Sequence, residues 1–322
     1  PESWHCTAVQ ASMLSLPLSL EGVGEALKLD KKKMTEGKEL IRYFCIPCKP
    51  TKSNGGRARN LPSHAPEKWE LFKTYCIRDV AVEMQIRKKL QKFPIPDKEQ
   101  ELYCMDQRIN DRGILVDREL ITHAAACDLL YKEAASKRAY ELSGLENPNS
   151  VSQLKAWLQE KGVEAGSLAK AAVEELVEKN EGEVSEMMKL RLAMSKTSIK
   201  KNEAMERSVC PDGRVHGLLQ FYGANRTGGW AGRLVQIHNL PQNHMEDLEL
   251  ARSLVKEGRY DLIELLYDST PEVLSELIRT AFVAKEGCRF IVSDFSAIEA
   301  RVMGYLAGEG WVMEEFRGAG KI

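Results

Sequence analysis

Two prolines one residue apart, in Phe93-Pro94-Ile95-Pro96, divide this chain into stretches of different pattern. Each fixes its own φ and denies the residue before it the helical region, so the pair forms an extended connection that no regular element crosses. Downstream, residues 97 to about 207 repeat apolar side chains at helical spacing, through Leu102, Met105 and Ile109 and then from Leu120 onward. Upstream, Trp69, Phe72, Tyr75, Cys76, Val80, Met84 and Ile86 predict one amphipathic helix that starts at Glu67 and ends before Pro94. The Pro, Gly, Ser and Asn of Pro47 to Pro66 predict a long surface loop in front of it.

Within the helical stretch, Asn147-Pro148-Asn149-Ser150 interrupts, and Asn149 or Ser150 caps a helix carrying Leu154, Trp157 and Leu158. After a polar gap at Lys179 to Glu183, one helix is expected from Val184 to about Arg207, with Met187, Met188, Leu190, Leu192 and Met194 packing along it. Cys210-Pro211-Asp212-Gly213 is a turn, and the β-compatible Arg214 to Ala224 reads as a strand. Ser269-Thr270-Pro271 starts a helix with Val273, Leu274, Leu277, Ile278 and Phe282 on one face. Cys288 to Ser293 reads as a short buried strand ending at Asp294, and a further helix runs from about Ala297 through Ile298, Val302, Tyr305 and Leu306. The class is mixed α/β, predominantly helical, with domains expected at 1–95, 96–213 and 214–322.

Composition narrows the chemistry. The 46 basic and 47 acidic residues leave a net charge of −1, so any polyanion must be met by local patches. No apolar run approaches the roughly 18 residues of a membrane span. The eight cysteines are too scattered for a disulfide scaffold and read as reduced thiols, which points to a cytoplasmic setting. Pro1 opens the chain without a secretory pattern and Glu314 to Ile322 stops without a helix cap, so both ends read as cuts in a longer protein.

A carboxylate at the end of a buried strand, just before a helix, is where two-metal phosphoryl-transfer enzymes hold a hard divalent cation, and Asp294 stands there. The alternative is that it caps the helix. Asp294-Phe295-Ser296-Ala297-Ile298-Glu299-Ala300-Arg301 closely resembles motif A of the family A DNA polymerases, the DNA polymerase I group, and above all its phage members. Gly232-Arg233-Leu234 with Asn239-Leu240-Pro241 resembles the family's upstream palm signature, and Ile278 to Ala284 its lead-in helix. Phe295 and Ala297 replace a common Tyr and Gln, His238 a usual Gln, and Gly229 an Arg of the phage relatives.

The resemblance implies an RNase H-like exonuclease remnant, a helical thumb and a partial palm. It implies that Asp294 binds both catalytic Mg²⁺ ions, that the Phe295 carbonyl adds a ligand, and that Glu299 packs against the sugar and disfavours ribonucleotides. Phe295, Glu299 and Arg301 would contact the nucleotide, although Arg301 is equally an ion-paired helix residue. Lys196-Thr197-Ser198 looks like the thumb segment that grips the duplex, and Arg233 and Asn239 like backbone contacts; read alone, the lysines form a solvated face. The partners implied are primer-template DNA and deoxynucleoside triphosphates, with a monomeric enzyme.

Tyr75-Cys76-Ile77-Arg78-Asp79 matches the third motif of proofreading 3′-5′ exonucleases, in which Asp79 would hold metal and Tyr75 orient the attacking water. Two Mg²⁺ ions would serve that site in the intact enzyme, its other carboxylates lying before Pro1. Fingers and late-palm motifs would lie after Ile322, so the segment alone is expected to be inactive. A stand-alone nuclease and a non-catalytic DNA-binding remnant are the alternatives. Cys45-Ile46-Pro47-Cys48 is read as two loop thiols, with zinc, using His5 and His64, or redox chemistry as the competing assignments. Lys31-Lys32-Lys33 reads as a solvated turn.

Overall fold

A computed structural model describes residues 1–29, 36–196, 199–224 and 226–318. The Lys31-Lys32-Lys33 turn, Thr197 and Ser198 lie outside the described residues. Two units divide the chain, Pro1–Val283 and Ala284–Ile322.

The first unit begins with helices α1 (Thr7–Met13), α2 (Leu20–Ala26), α3 (Gly37–Cys45) and α4 (Pro66–Leu90). Pro66 sits in the first turn of α4, where its missing N–H is no loss. The helix then buries two patches in succession. Tyr75 joins Leu40 and Phe44 in an aromatic cluster flanked by Trp69 and Phe72, while Val82, Ile86 and Leu90 pack with Ala11 and Val23. The loop from Pro47 to Pro66 holds only two 3-10 turns, as its composition predicts. Among the described residues, this part before Pro94 contains no strand.

Next come α5 (Asp97–Arg112), β1 (Ile114–Leu115) and α6 (Arg118–Ser143), then α7 (Val151–Glu160), α8 (Lys170–Lys179), α9 (Gly182–Ser195) and α10 (Lys200–Ser208). Gly113, at φ +62°, ends α5, and Asp117 caps α6 by accepting the Leu120 N–H at 3.1 Å. Ser150 caps α7, one of the two residues expected to do so. Leu154, Trp157, Leu158, Val173, Met187 and Met188 form a small core of α7 to α9 on the end of α6.

The single helix expected from Val184 to about Arg207 is broken. Lys196 follows α9 in extended backbone, at φ −63° and ψ 108°, and α10 starts afresh at Lys200. The cause is packing: Met187 and Met188 bury in the small core, whereas Ile199 and Met205 bury in the large one. One straight helix cannot serve both cores.

The large core gathers Leu120, Ile121, Ile199, Met205 and Val215 with the buried faces of α11 (Leu248–Lys256), α12 (Tyr260–Leu266) and α13 (Thr270–Leu277). Before these helices lie β2 (Arg214–Val215), antiparallel to β1, and β3 (Leu219–Gln220), antiparallel to β4 (Ala231–Gly232). The strand expected over Arg214 to Ala224 is therefore split between two sheets, with Gly217, at φ +67°, between them. Pro271 opens α13 as expected, although the Ser269 side chain makes no capping bond.

The second unit carries α14 (Ile298–Ala307) and α15 (Gly310–Gly318). They pack where Gly304 leaves no room for a Cβ beside Val312, and Phe316 is buried. The buried strand expected over Cys288 to Ser293 is absent: Ile291 is 87% exposed and Val292 91%. β-branched composition favours an extended backbone, but a strand forms only against a ladder partner, and among the described residues this segment has none.

Candidate functional site

Asp294 lies in the exposed segment before α14, not at the end of a buried strand. Its Oδ1 accepts the Phe295 N–H at 2.9 Å, and its Oδ2 has no hydrogen-bond partner among the described residues. The carboxylate does not cap α14, whose N-cap position is Ala297 at φ +49°, a left-handed conformation uncommon for a residue with a Cβ. Glu299 projects from the first turn and is exposed, as is Phe295. Arg301 turns back on its own unit, donating from Nε to the Ser296 carbonyl at 2.8 Å with its guanidinium 4.1 Å above the Phe316 ring.

An open carboxylate oxygen is a donor suited to a hard cation such as Mg²⁺, and Asp294 with the Phe295 carbonyl would hold one. Among the described residues, no group of three or more His, Cys, Asp or Glu side chains is placed to hold a metal. The described residues thus supply one carboxylate of such a site.

The second constellation is the loop after β4. Arg233 donates its backbone N–H to the Leu218 carbonyl at 2.8 Å and keeps an exposed side chain. Leu234 and Gln236 adopt φ of +54° and +58°, strained for residues with a Cβ, before the 3-10 turn Ile237–Asn239. Lys201 holds the strained loop, donating from Nζ to the carbonyls of Val235 at 2.8 Å and Gln236 at 3.2 Å. Partial burial lowers the Lys201 pKa. Arg279 fastens the far end by donating to the Leu240 carbonyl at 3.0 Å and to that of Pro241. Asn239 is exposed and lines a cavity of about 510 Å³ with Lys200 and Lys201.

Lys196 lies in the same unit, on a cavity that Pro241 at the far end of this loop also lines. Its Nζ lies 3.4 Å from a Glu272 carboxylate oxygen, at the edge of that cavity, which is about 800 Å³ and which Tyr131, Lys170 and Lys189 also line. Mixed charge surrounds it, so the predicted cation is already partly satisfied.

Two further residues, Asp106 and Asn110, carry no motif in the sequence and act through tertiary contacts. Asp106 is 1% exposed, accepting the Trp230 Nε1–H at 2.9 Å on one oxygen and the Gln107 and Asn110 amides at 2.9 and 3.1 Å on the other. Burial pushes its carboxyl above the ordinary range, while those donors and the charge of Arg233 pull it back in part. The spacing of Asp106 and Asn110, one helical turn apart on α5, is the only trace in the sequence.

Tyr75 and Asp79 also stand one turn apart, on α4. The Tyr75 ring is buried in its aromatic cluster, and burial together with its hydrogen bond to Asp79 pushes the phenol up to about 12. Asp79 Oδ1 is buried with no hydrogen-bond partner among the described residues, the kind of oxygen a hard cation takes. Cys45 and Cys48 are free thiols, and Cys48 donates to the Arg57 carbonyl at 3.4 Å. His64 accepts the Leu61 N–H at 2.9 Å.

No protein-family model matches the chain. It is 57% identical over 323 residues to the DNA polymerase of Bacillus phage SP02, covering 100% of this chain and 50% of that protein. It is 27% identical over 264 residues to DNA polymerase I of Pseudomonas aeruginosa, covering 76% of this chain and 26% of that protein. The fold resembles the polymerase domain of Pol1 from M. smegmatis, solved with DNA primer-template and dNTP, at TM-score 0.52 and 18% identity, over 98% of this chain and 47% of that one. The chain spans about half the length of the phage relative, and over that span it resembles the family A DNA polymerases.

Proposed function

We propose that the protein to which these residues belong is a DNA-directed DNA polymerase, adding deoxynucleotides to a primer 3′-OH on a template strand. The observation that carries this reading is the 57% identity to a phage DNA polymerase along the whole chain, motif A segment included. In it, residues 96–213 form the thumb and 214–322 the first part of the palm, with α7 to α9 as the thumb's own small core. Arg233, Asn239 and Lys196, with Thr197 and Ser198, contact the sugar-phosphate backbone without reading sequence. Glu299 packs against the nucleotide sugar, and Phe295 and Arg301 lie beside the triphosphate. Asp294 and the Phe295 carbonyl hold the metal, two Mg²⁺ per site being the family pattern. When bound, Mg²⁺ lowers the pKa of the attacking hydroxyl and neutralises the leaving pyrophosphate.

Residues 1–95 are read as the end of an RNase H-like 3′-5′ exonuclease domain, with Asp79 as one metal ligand and Tyr75 as its hydrogen-bonded neighbour. What supports this is the orphaned Oδ1 of Asp79 and the absence of any buried apolar cluster spanning residue 95 among the described residues. The protein is expected to work as a monomer in the bacterial cytoplasm. No helix of the described residues is long and apolar enough to cross a membrane. Primer extension in Mg²⁺ by the complete reading frame that contains these 322 residues tests the proposal. Templated extension is expected; duplex binding without extension in Mg²⁺ or Mn²⁺ would favour the non-catalytic remnant and overturn it.

A further inference from the structure

We propose that Asp106 is a positioning residue for DNA binding: from its buried place on α5 it fixes the β3–β4 hairpin so that Arg233 meets the DNA backbone. The proposal rests on the reading of Arg233 as a DNA contact. A carboxylate 1% exposed is rare, because burying the charge is costly unless its oxygens are satisfied. Here three neutral donors satisfy them, from Trp230, Gln107 and Asn110.

Those donors tie α5 to both strands of one hairpin. Trp230 immediately precedes β4 and Arg233 immediately follows it. Trp230 is further fixed by an edge-to-face contact with Phe221, with centroids 5.2 Å apart. On the other strand, the Asn110 amide donates to the Leu219 carbonyl at 3.0 Å, and its oxygen accepts the Leu219 N–H at 2.9 Å. Asp106 and Asn110 therefore hold β4 and β3 from a single turn of helix. Arg233 is left with its backbone bonded to Leu218 and its side chain exposed, on a cleft of about 680 Å³ that Asp106 and Asn110 also line. A hydrophobic residue of similar size would fill the space of Asp106 but could not aim the Trp230 indole.

The sign of one substitution separates positioning from simple electrostatics. Asp106→Asn removes a negative charge close to a surface that meets phosphates, so an electrostatic role predicts tighter DNA binding. Positioning predicts weaker binding, because the new amide presents a donor to donors. The experiment is fluorescence anisotropy of a labelled primer-template duplex with the complete protein that contains these residues, unaltered and as Arg233→Ala, Asp106→Asn, the double variant and Trp230→Phe, across a salt series. Each single change at Arg233 or Asp106 is expected to raise Kd by about tenfold and to lower the salt slope by about one. The double variant is expected to bind within about twofold of Arg233→Ala, since Asp106 acts through Arg233. Trp230→Phe, which keeps the carboxylate and its charge, is expected to weaken binding by several-fold. Unchanged or tighter binding by Asp106→Asn, additive losses in the double variant, or an unaffected Trp230→Phe would each overturn the proposal. If Arg233→Ala binds like the unaltered chain, the reading of Arg233 falls first and the proposal with it.

Discussion

Asn110 pairs with Leu219 as a neighbouring strand would, its side-chain amide donating to the Leu219 carbonyl at 3.0 Å and accepting the Leu219 N–H at 2.9 Å. A side chain on α5 thus does the work of a third strand for a hairpin of two-residue strands, which would be marginal alone. Asn110→Ala leaves both backbone groups of Leu219 in want of partners. The expected loss is about 1–3 kcal/mol, read from the urea midpoint, with faster hydrogen exchange at Leu219. An unchanged exchange rate would mean that the hairpin stands without α5.

Asp117 is the cap of α6 and also the anion between Arg252 and Lys256, the latter at 3.0 Å. Burial raises its carboxyl, but the Leu120 N–H and the two cations outweigh that, and the net pKa lies below the ordinary value of 3.8. A depressed pKa means that the unfolded state takes up the proton first. The stabilisation is therefore complete above the unfolded pKa and is lost as pH falls through the folded one. Asp117→Ala is expected to cost about 2–4 kcal/mol at pH 7, combining a lost cap with two stranded cations, and much less at a pH that has fallen through its lowered folded pKa, below the ordinary 3.8. Urea melts at both pH values read this directly; an equal loss at both would show that the carboxylate's charge plays no part.

Tyr75 and Asp79 share a helix turn but differ in what they hold. Tyr75→Ala empties an aromatic cluster and is expected to cost about 3–5 kcal/mol. Asp79→Ala removes an unpartnered buried oxygen but also the hydrogen-bond partner of the buried Tyr75 hydroxyl, so a smaller loss of about 1–3 kcal/mol is expected. In the complete protein the same change is expected to abolish metal-dependent degradation of single strands. Persisting degradation would remove Asp79 from the exonuclease assignment.

Glu299 is exposed on the first turn of α14. In the proposed polymerase it packs against the nucleotide sugar and excludes a 2′-hydroxyl by bulk. Glu299→Ala in the complete protein is expected to raise ribonucleotide incorporation relative to deoxynucleotide by roughly tenfold or more. Competition assays on a primed template measure the ratio; no change would move sugar discrimination elsewhere.

The long helices α4 and α6, the loop before α4 and the Ser150 cap were legible because local spacing determines them, whereas the Asp294 to Arg301 motif was read only through a family resemblance. Val184 to Arg207 was misread as one helix because its apolar residues serve two different cores, a division that periodicity alone does not reveal. Cys288 to Ser293 has the composition of a strand, yet composition does not supply a ladder partner. Asp106 and Asn110 were invisible for a related reason: each is a polar residue on a helix whose partner lies many residues away, on Trp230 and Leu219.

The most direct test of the central claim is primer extension in Mg²⁺ by the complete protein carrying Asp294→Ala, with duplex affinity measured on the same preparation. The exposed carboxylate supports no packing, so DNA binding is expected to stay within about twofold while extension falls by at least about a thousandfold. Extension at the unaltered rate with Asp294 replaced would contradict the assignment of this residue as the metal-binding carboxylate of a polymerase site.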